Sequence, residues 1–128
     1  MGLRVLLVDD SELARKILKK TLSLTDLNLS EVLEASNGSD ALEILKSTWV
    51  DIVFLDINMP IMNGLEFFKK LKEDPVNHQT PVIVVSTESN TSRLEELRSM
   101  GIKGYVKKPF KPEELVKTID LVLQGYER

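Results

Sequence analysis

Short apolar runs alternate with segments of helical period from one end of this chain to the other, and that alternation restricts its fold more than any other feature. Leu3–Val8 is apolar apart from Arg4 and rich in branched side chains, the composition of a strand buried on both faces. Asp51–Leu55, Pro81–Val85 and the short Gly104–Lys107 read as further strands, and Glu31–Ala35 alternates weakly, as a more peripheral one. Between them, Ser11 can cap a helix whose apolar positions Leu13, Ala14, Ile17, Leu18 and Leu22 follow the helical period. Asn37-Gly38-Ser39 breaks the chain before a helix carrying Ala41, Leu42 and Leu45, with Trp49 packing at its exit. Met59-Pro60 and Asn63-Gly64 mark a loop before a helix with Leu65, Phe68 and Leu71 on one face, stopped near Asp74-Pro75. Leu94, Leu97 and Met100 belong to a fourth helix that ends at Gly101, and Lys111–Leu123 is a fifth. Strands and helices in strict alternation predict an α/β fold, a parallel sheet covered on both faces by right-handed crossovers. Spacing alone leaves the strand order open.

A chain of 128 residues suits one domain spanning 1–128 and can bury roughly 65–70% of its unfolded surface. The net charge of −3 argues against nucleic acid as the main partner, since a phosphate backbone demands a basic face. Cysteine is absent, which excludes disulfides and thiolate metal sites and fits a reducing cytoplasm. No apolar run approaches the roughly 20 residues of a spanning helix, and Met1–Val8 meets two aspartates rather than continuing as a signal peptide. The expectation is a cytoplasmic protein with no membrane insertion.

Four of the apolar runs end on residues suited to metal or phosphate chemistry. Leu3–Val8 leads into Asp9 and Asp10, Asp51–Leu55 into Asp56, Val82–Val85 into Ser86, and Tyr105–Lys107 into Lys108. In an open parallel sheet the ligand crevice lies outside the carboxyl ends of the strands, so neighbouring strands would bring these groups together. Taken singly, each has a plainer reading: Asp9 or Asp10 as a helix cap, Asp56 as a turn residue, Ser86 as a residue approaching a helix, Lys108 as part of a solvated basic cluster with Lys107 and Lys111. Capping needs one such residue, however, and Ser11 is available. Two adjacent carboxylates about 4 Å apart cost roughly 4 kcal/mol at an effective dielectric near 20, a repulsion that a divalent cation with oxygen ligands, such as Mg²⁺, would offset. Asp56 could both ligate a metal and act as a nucleophile forming an acyl phosphate. Asn58 could add a backbone carbonyl, Ser86 a hydroxyl to a phosphoryl oxygen, and Lys108 an ammonium paired with Asp56 or its phosphate. Lys108-Pro109 is a candidate cis bond. His78, in the polar loop Asn77-His78-Gln79, reads as an exposed loop residue.

The set Asp9-Asp10, Asp56, Asn58-Met59-Pro60, Gly64, Ser86, Tyr105 and Lys108-Pro109-Phe110 resembles the response-regulator receiver family over essentially the whole chain. The resemblance implies a doubly wound (βα)₅ fold, flavodoxin-like, with strand order 2-1-3-4-5. It also implies Asp56 as phosphoacceptor, and Asp10, Asp56 and the Asn58 carbonyl as Mg²⁺ ligands, with Asp9 acting partly through water. Ser86 resembles the switch hydroxyl, Lys108 the lysine that contacts the phosphoryl group, and Tyr105 the aromatic whose rotamer follows the hydroxyl. Asn58 and Glu88 take positions that tune phosphoryl lifetime in this family. Thr87 departs from the small residue many members carry and narrows the approach to Asp56.

The function so implied is a two-component switch rather than a turnover enzyme. A histidine kinase donates a phosphoryl group to Asp56, and hydrolysis resets the protein. Output is a protein contact through the face of the fourth helix, fifth strand and fifth helix, since the chain ends after the fifth helix. Ser86-Thr87-Glu88 and Lys103–Phe110 look more like a chemotaxis regulator acting on the flagellar motor switch than a phosphorelay intermediate. A haloacid-dehalogenase-type aspartyl phosphatase would want a second Asp where Asn58 stands, and an FMN binder a phosphate loop free of Asp9, Asp10 and Glu12.

Overall fold

In the computed structural model, which describes residues 2–87 and 90–126, five parallel strands form one sheet in the order β2-β1-β3-β4-β5. The elements are β1 (Leu3–Val8), α1 (Glu12–Ser23), β2 (Leu29–Ala35), α2 (Gly38–Ser47), β3 (Ile52–Leu55), α3 (Gly64–Glu73), β4 (Val82–Ser86), α4 (Thr91–Ser99), β5 (Gly104–Lys107) and α5 (Pro112–Tyr126). This is the α/β architecture and strand order that the motifs imply.

The two-residue period of the pleat explains why the central strands are apolar throughout. Leu6, Val8, Val53, Leu55, Val82 and Val84 enter one core with Ala41 and Leu45 of α2, Phe67, Phe68 and Leu71 of α3, and Leu97 of α4. Their neighbours Val5, Leu7, Ile52, Phe54, Ile83 and Val85 enter a second core with Leu18 and Leu22 of α1 and Leu115, Ile119 and Val122 of α5. Three helices therefore cover one face and two the other. Burying one such Val or Leu contributes about 1.5–3 kcal/mol, so the sheet cannot slip by a residue without exchanging the two cores.

Several boundaries move from their predicted places. β2 begins at Leu29 rather than Glu31, pairing Leu3 with Leu29 across a register irregularity. β4 takes in Ser86, which pairs with Lys107. β3 starts at Ile52 because Asp51 turns its carboxylate onto the Arg4 N–H at 2.8 Å. On α1, Leu18 and Leu22 are buried, whereas Leu13 and Ile17 remain exposed, Ile17 on the flank toward Pro112. Trp49 is half-exposed and its carbonyl accepts from Arg4 Nη1 at 3.1 Å, so it packs less than its position after α2 suggests.

The helix ends follow their caps. Ser11 accepts from the Ala14 N–H, Asn37 from Asp40 and Asn90 from Arg93, while Asn63 and Glu66 form a reciprocal capping box at α3. α4 closes as predicted at Gly101 (φ +103°): the Gly101 N–H reaches the Arg98 carbonyl and the Ile102 N–H the Leu97 carbonyl, a Schellman arrangement. Lys108–Pro109 is cis. No helix among the described residues is long and apolar enough to cross a membrane.

Candidate functional site

The chain runs outward from β1 to β2 on one side and to β3 on the other, so the order of strand addition reverses between the carboxyl ends of β1 and β3. Asp9, Asp56 and Lys108 each stand one residue beyond a strand, and the backbone ladder continues through all three. The Asp9 N–H donates to the Ala35 carbonyl at 3.1 Å, Asp56 to Val8 at 2.9 Å, and Lys108 to Ser86 at 2.9 Å. Their Cα positions are thus set by the sheet rather than by a loop.

The side chains converge. One carboxylate oxygen from each of Asp9, Asp10 and Asp56 lies within 4.8 Å of the others, with Asp9 buried, Asp56 half-buried and Asp10 exposed. Lys108 Nζ lies 2.6 Å from Asp9 Oδ2 and 3.8 Å from Asp56 Oδ2. The sequence suggests Asp56 as the lysine's partner, but Asp9 is the nearer one. Each carboxylate has Oδ1 on a backbone N–H, Asp56 on Ile57 at 2.8 Å and Asp9 on Ser11 at 2.9 Å, and each turns Oδ2 toward the ammonium. Ser86 is fully buried.

Burial lifts the Asp56 carboxyl above its ordinary 3.8, and Asp9 adds to the rise; the Lys108 ammonium, the Ser86 hydroxyl and the Ile57 N–H pull the other way. One ammonium faces three carboxylates, so negative charge is left over. Oxygen-only donors with surplus negative charge at a half-open strand end fit a hard divalent cation.

The other expected site residues lie around this centre. The Tyr105 hydroxyl donates to the Ser86 carbonyl at 3.4 Å, and its ring packs half-buried against the first core. Asn58 is exposed and its Oδ1 accepts from Arg93 Nη1 at 3.3 Å, joining the loop after β3 to α4. Thr87 is exposed just past β4, as is His78 in its loop; Glu88 lies outside the described residues. Gly64 is a close-approach position: a Cβ there would stand 2.4 Å from the Asp56 carbonyl oxygen and 2.7 Å from Ile57 Cα. Between them, Ile61 (φ 49°) and Met62 (φ 65°) occupy the left-handed region, disfavoured for a β-branched residue, while the Gly38 N–H holds the Met62 carbonyl at 3.1 Å.

Two contributors escape a sequence reading. Arg15 donates from Nη1 to the Asp9 carbonyl at 2.6 Å and from Nε to Glu34 at 2.9 Å, bracing the β1–α1 turn from α1. Arg93 reaches Asn58 across 35 residues. Four-residue spacing after Ser11 places Arg15 over the first turn and offered a faint signal; nothing local marks Arg93.

Comparison with known proteins agrees with this geometry. The model of the response regulator receiver domain matches residues 5–120. A chemotaxis protein CheY homolog of Campylobacter jejuni is 38% identical over 122 residues, 94% of this chain and 92% of that protein. Chemotaxis protein CheY1 of Helicobacter pylori is 36% identical, covering 94% and 97%. Among solved structures, the chemotaxis response regulator CheY4 of Vibrio cholerae superposes with a TM-score of 0.84 at 34% identity, over 95% of this chain and 99% of that one. With the acidic cluster at the sheet's reversal point and the family's motifs in order along five strands, the chain belongs to the response regulator receiver family.

Proposed function

We propose that Asp56 accepts a phosphoryl group from the phosphohistidine of a histidine kinase and that its phosphorylation state sets a protein-binding surface on α4, β5 and α5. The observation that carries this reading is the environment of one carboxylate. Asp56 is pinned by the sheet ladder, flanked by Asp9 and Asp10, faced by Lys108 at 3.8 Å and close enough to the buried Ser86 hydroxyl for that group to lower its pKa. In the transfer, an Asp56 oxygen bonds to phosphorus as the bond from phosphorus to the imidazole nitrogen breaks, and the kinase histidine keeps the electron pair. Lys108 is placed to neutralise a phosphoryl oxygen, a task of positioning and electrostatics. Asp9, Asp10, Asp56 and the Asn58 carbonyl would hold Mg²⁺, which when bound neutralises phosphoryl charge that the lysine alone cannot.

The Ser86 hydroxyl, near the Asp56 carboxylate, is the group that would donate to a phosphoryl oxygen. The Tyr105 hydroxyl rests on the Ser86 carbonyl, so a shift at Ser86 is transmitted to β5. This is a population shift between two packings, biased by contacts to the phosphate. The protein is a phosphoacceptor switch rather than a turnover enzyme, its only chemistry being its own phosphorylation and dephosphorylation. The chemotaxis names of the relatives support a cytoplasmic role in motor control, with the flagellar switch as the downstream partner.

Incubation with acetyl phosphate and Mg²⁺ tests the reading: intact mass should rise by one phosphoryl group, and EDTA or Asp56→Asn should abolish the gain. Labelling that survives either change would sink the assignment. In the same reading, beryllofluoride with Mg²⁺ strengthens capture of a purified motor-switch protein, and Tyr105→Ala blunts that dependence.

A further inference from the structure

At the opposite edge of the sheet, outside the amino ends of β4 and β5, lies a half-open cavity of about 500 Å³. Its polar lining is Lys72 from the end of α3, His78 and Gln79 from the α3–β4 loop, and Lys103 ahead of β5; Pro81 and Leu121 supply an apolar wall. Among the described residues no carboxylate lines it, although the chain as a whole carries −3. Asp74, next to this loop, has Oδ1 committed to the Val76 and Asn77 N–H groups at 2.7 and 3.0 Å.

Lys72 and His78 are held in place. Lys72 Nζ donates to the His78 carbonyl at 3.2 Å and stands 5.3 Å from the centre of the Phe68 ring, leaving the ammonium further donors. His78 Nδ1 lies 3.1 Å from the Asp74 carbonyl; a carbonyl can only accept, so Nδ1 carries the proton and Nε2 is left as an acceptor, suited to a hydroxyl. Burial, and after it the charge of the neighbouring Lys103, hold Lys72 below the ordinary lysine range. Compensation of the negative end of α3 accounts for Lys72 alone. It does not account for Lys103, for His78, or for the apolar wall.

We propose that this cavity binds a nucleoside polyphosphate, its phosphates on Lys72 and Lys103, a ribose hydroxyl on His78 and its base against Pro81 and Leu121. The volume lies within the roughly 300–1,000 Å³ of small-molecule sites, and a few polar groups over an apolar wall is their usual make-up. The site is remote from Asp56 and binds without a divalent cation.

The test is a titration of the ¹⁵N-labelled full chain in EDTA with ADP, pyrophosphate and adenosine, following the amides of Lys72, His78 and Lys103. ADP should give saturable shifts at all three, with pyrophosphate weaker by about threefold or more and adenosine silent over the same range. Lys72→Gln with Lys103→Gln should weaken ADP by about tenfold, and the exposed Lys103→Gln alone, which leaves the Phe68 contact intact, by about threefold. Absence of saturable shifts with ADP to about 10 mM overturns the proposal. So does equal ADP affinity in Lys103→Gln, or adenosine binding as tightly as ADP.

Discussion

Gly64→Ala separates the positioning of Asp56 from its chemistry. The new methyl would stand 2.4 Å from the Asp56 carbonyl oxygen, 2.7 Å from Ile57 Cα and 3.1 Å from the Asp56 carbonyl carbon, all backbone atoms that cannot rotate aside. An ordinary contact needs about 1 Å more. The Gly64 N–H also donates to the Ile57 carbonyl at 2.8 Å, so α3 cannot retreat without lengthening that bond. Overpacking of this kind costs about 1–3 kcal/mol, which for a domain of this size lowers Tm by about 3–12 °C. A displacement near 1 Å at a reacting group costs about 10²-fold in rate. The control is Gly104→Ala at the far end of β5, where a Cβ would meet Thr118 Cγ2 at 2.6 Å, a side-chain clash of similar size remote from Asp56. Initial rates of phosphorylation by acetyl phosphate with Mg²⁺ are compared at a temperature where both variants are folded. Gly64→Ala should fall by about 10²-fold and Gly104→Ala by less than about threefold. Equal rates in the two variants would refute the claim that close packing of α3 sets the phosphoacceptor.

Two further outcomes follow from the charges. Because burial raises the Asp56 carboxyl in the folded state, its ionised form opposes folding; that penalty is absent below the unfolded value of 3.8 and grows as pH rises through the folded-state value. In EDTA near neutral pH, Asp56→Asn should therefore be the more stable protein, with the difference shrinking toward pH 4; urea titrations across that range check it, and a gap that widens on acidification would contradict it. Lys108→Ala removes the cation 2.6 Å from Asp9 and 3.8 Å from Asp56, leaving two poorly exposed carboxylates facing each other. With the lysine side chain itself 22% exposed, the loss in EDTA should be about 2–4 kcal/mol, and Mg²⁺ should restore more stability to this variant than to the wild type in the same unfolding assay.

The fold was legible because its central strands are buried on both faces. Leu6 and Val8 serve one core and Val5 and Leu7 the other, so β1 shows as a continuous apolar run, and the same holds for β3 and β4. β2 has only one neighbouring strand, and its exposed Ser30 and Glu31 hid its first two residues. The site was legible where each group follows directly on a strand: Asp9, Asp56 and Lys108 could be placed along the chain before their distances were known. That Asp9 lies nearer Lys108 than Asp56 does, 2.6 against 3.8 Å, is set by side-chain placement across the sheet, which no spacing records. Ile61 and Met62 take the left-handed turn despite their residue types, because Gly38 and the capping box at Asn63 hold the chain on either side. Leu13 and Ile17 carry the helical period of α1 yet stay exposed; periodicity marks an apolar flank without saying how far the sheet extends beneath it.

The most direct test of the central claim is chemical mapping of the phosphorylated residue. The protein is phosphorylated with acetyl phosphate and Mg²⁺, the acyl phosphate is reduced with borohydride, and peptides are sequenced by mass spectrometry. Reduction should convert residue 56, and no other aspartate, to homoserine, and only when Mg²⁺ was present. Homoserine at Asp9 or Asp10, or at residue 56 without Mg²⁺, would contradict the assignment of Asp56 as the metal-dependent phosphoacceptor.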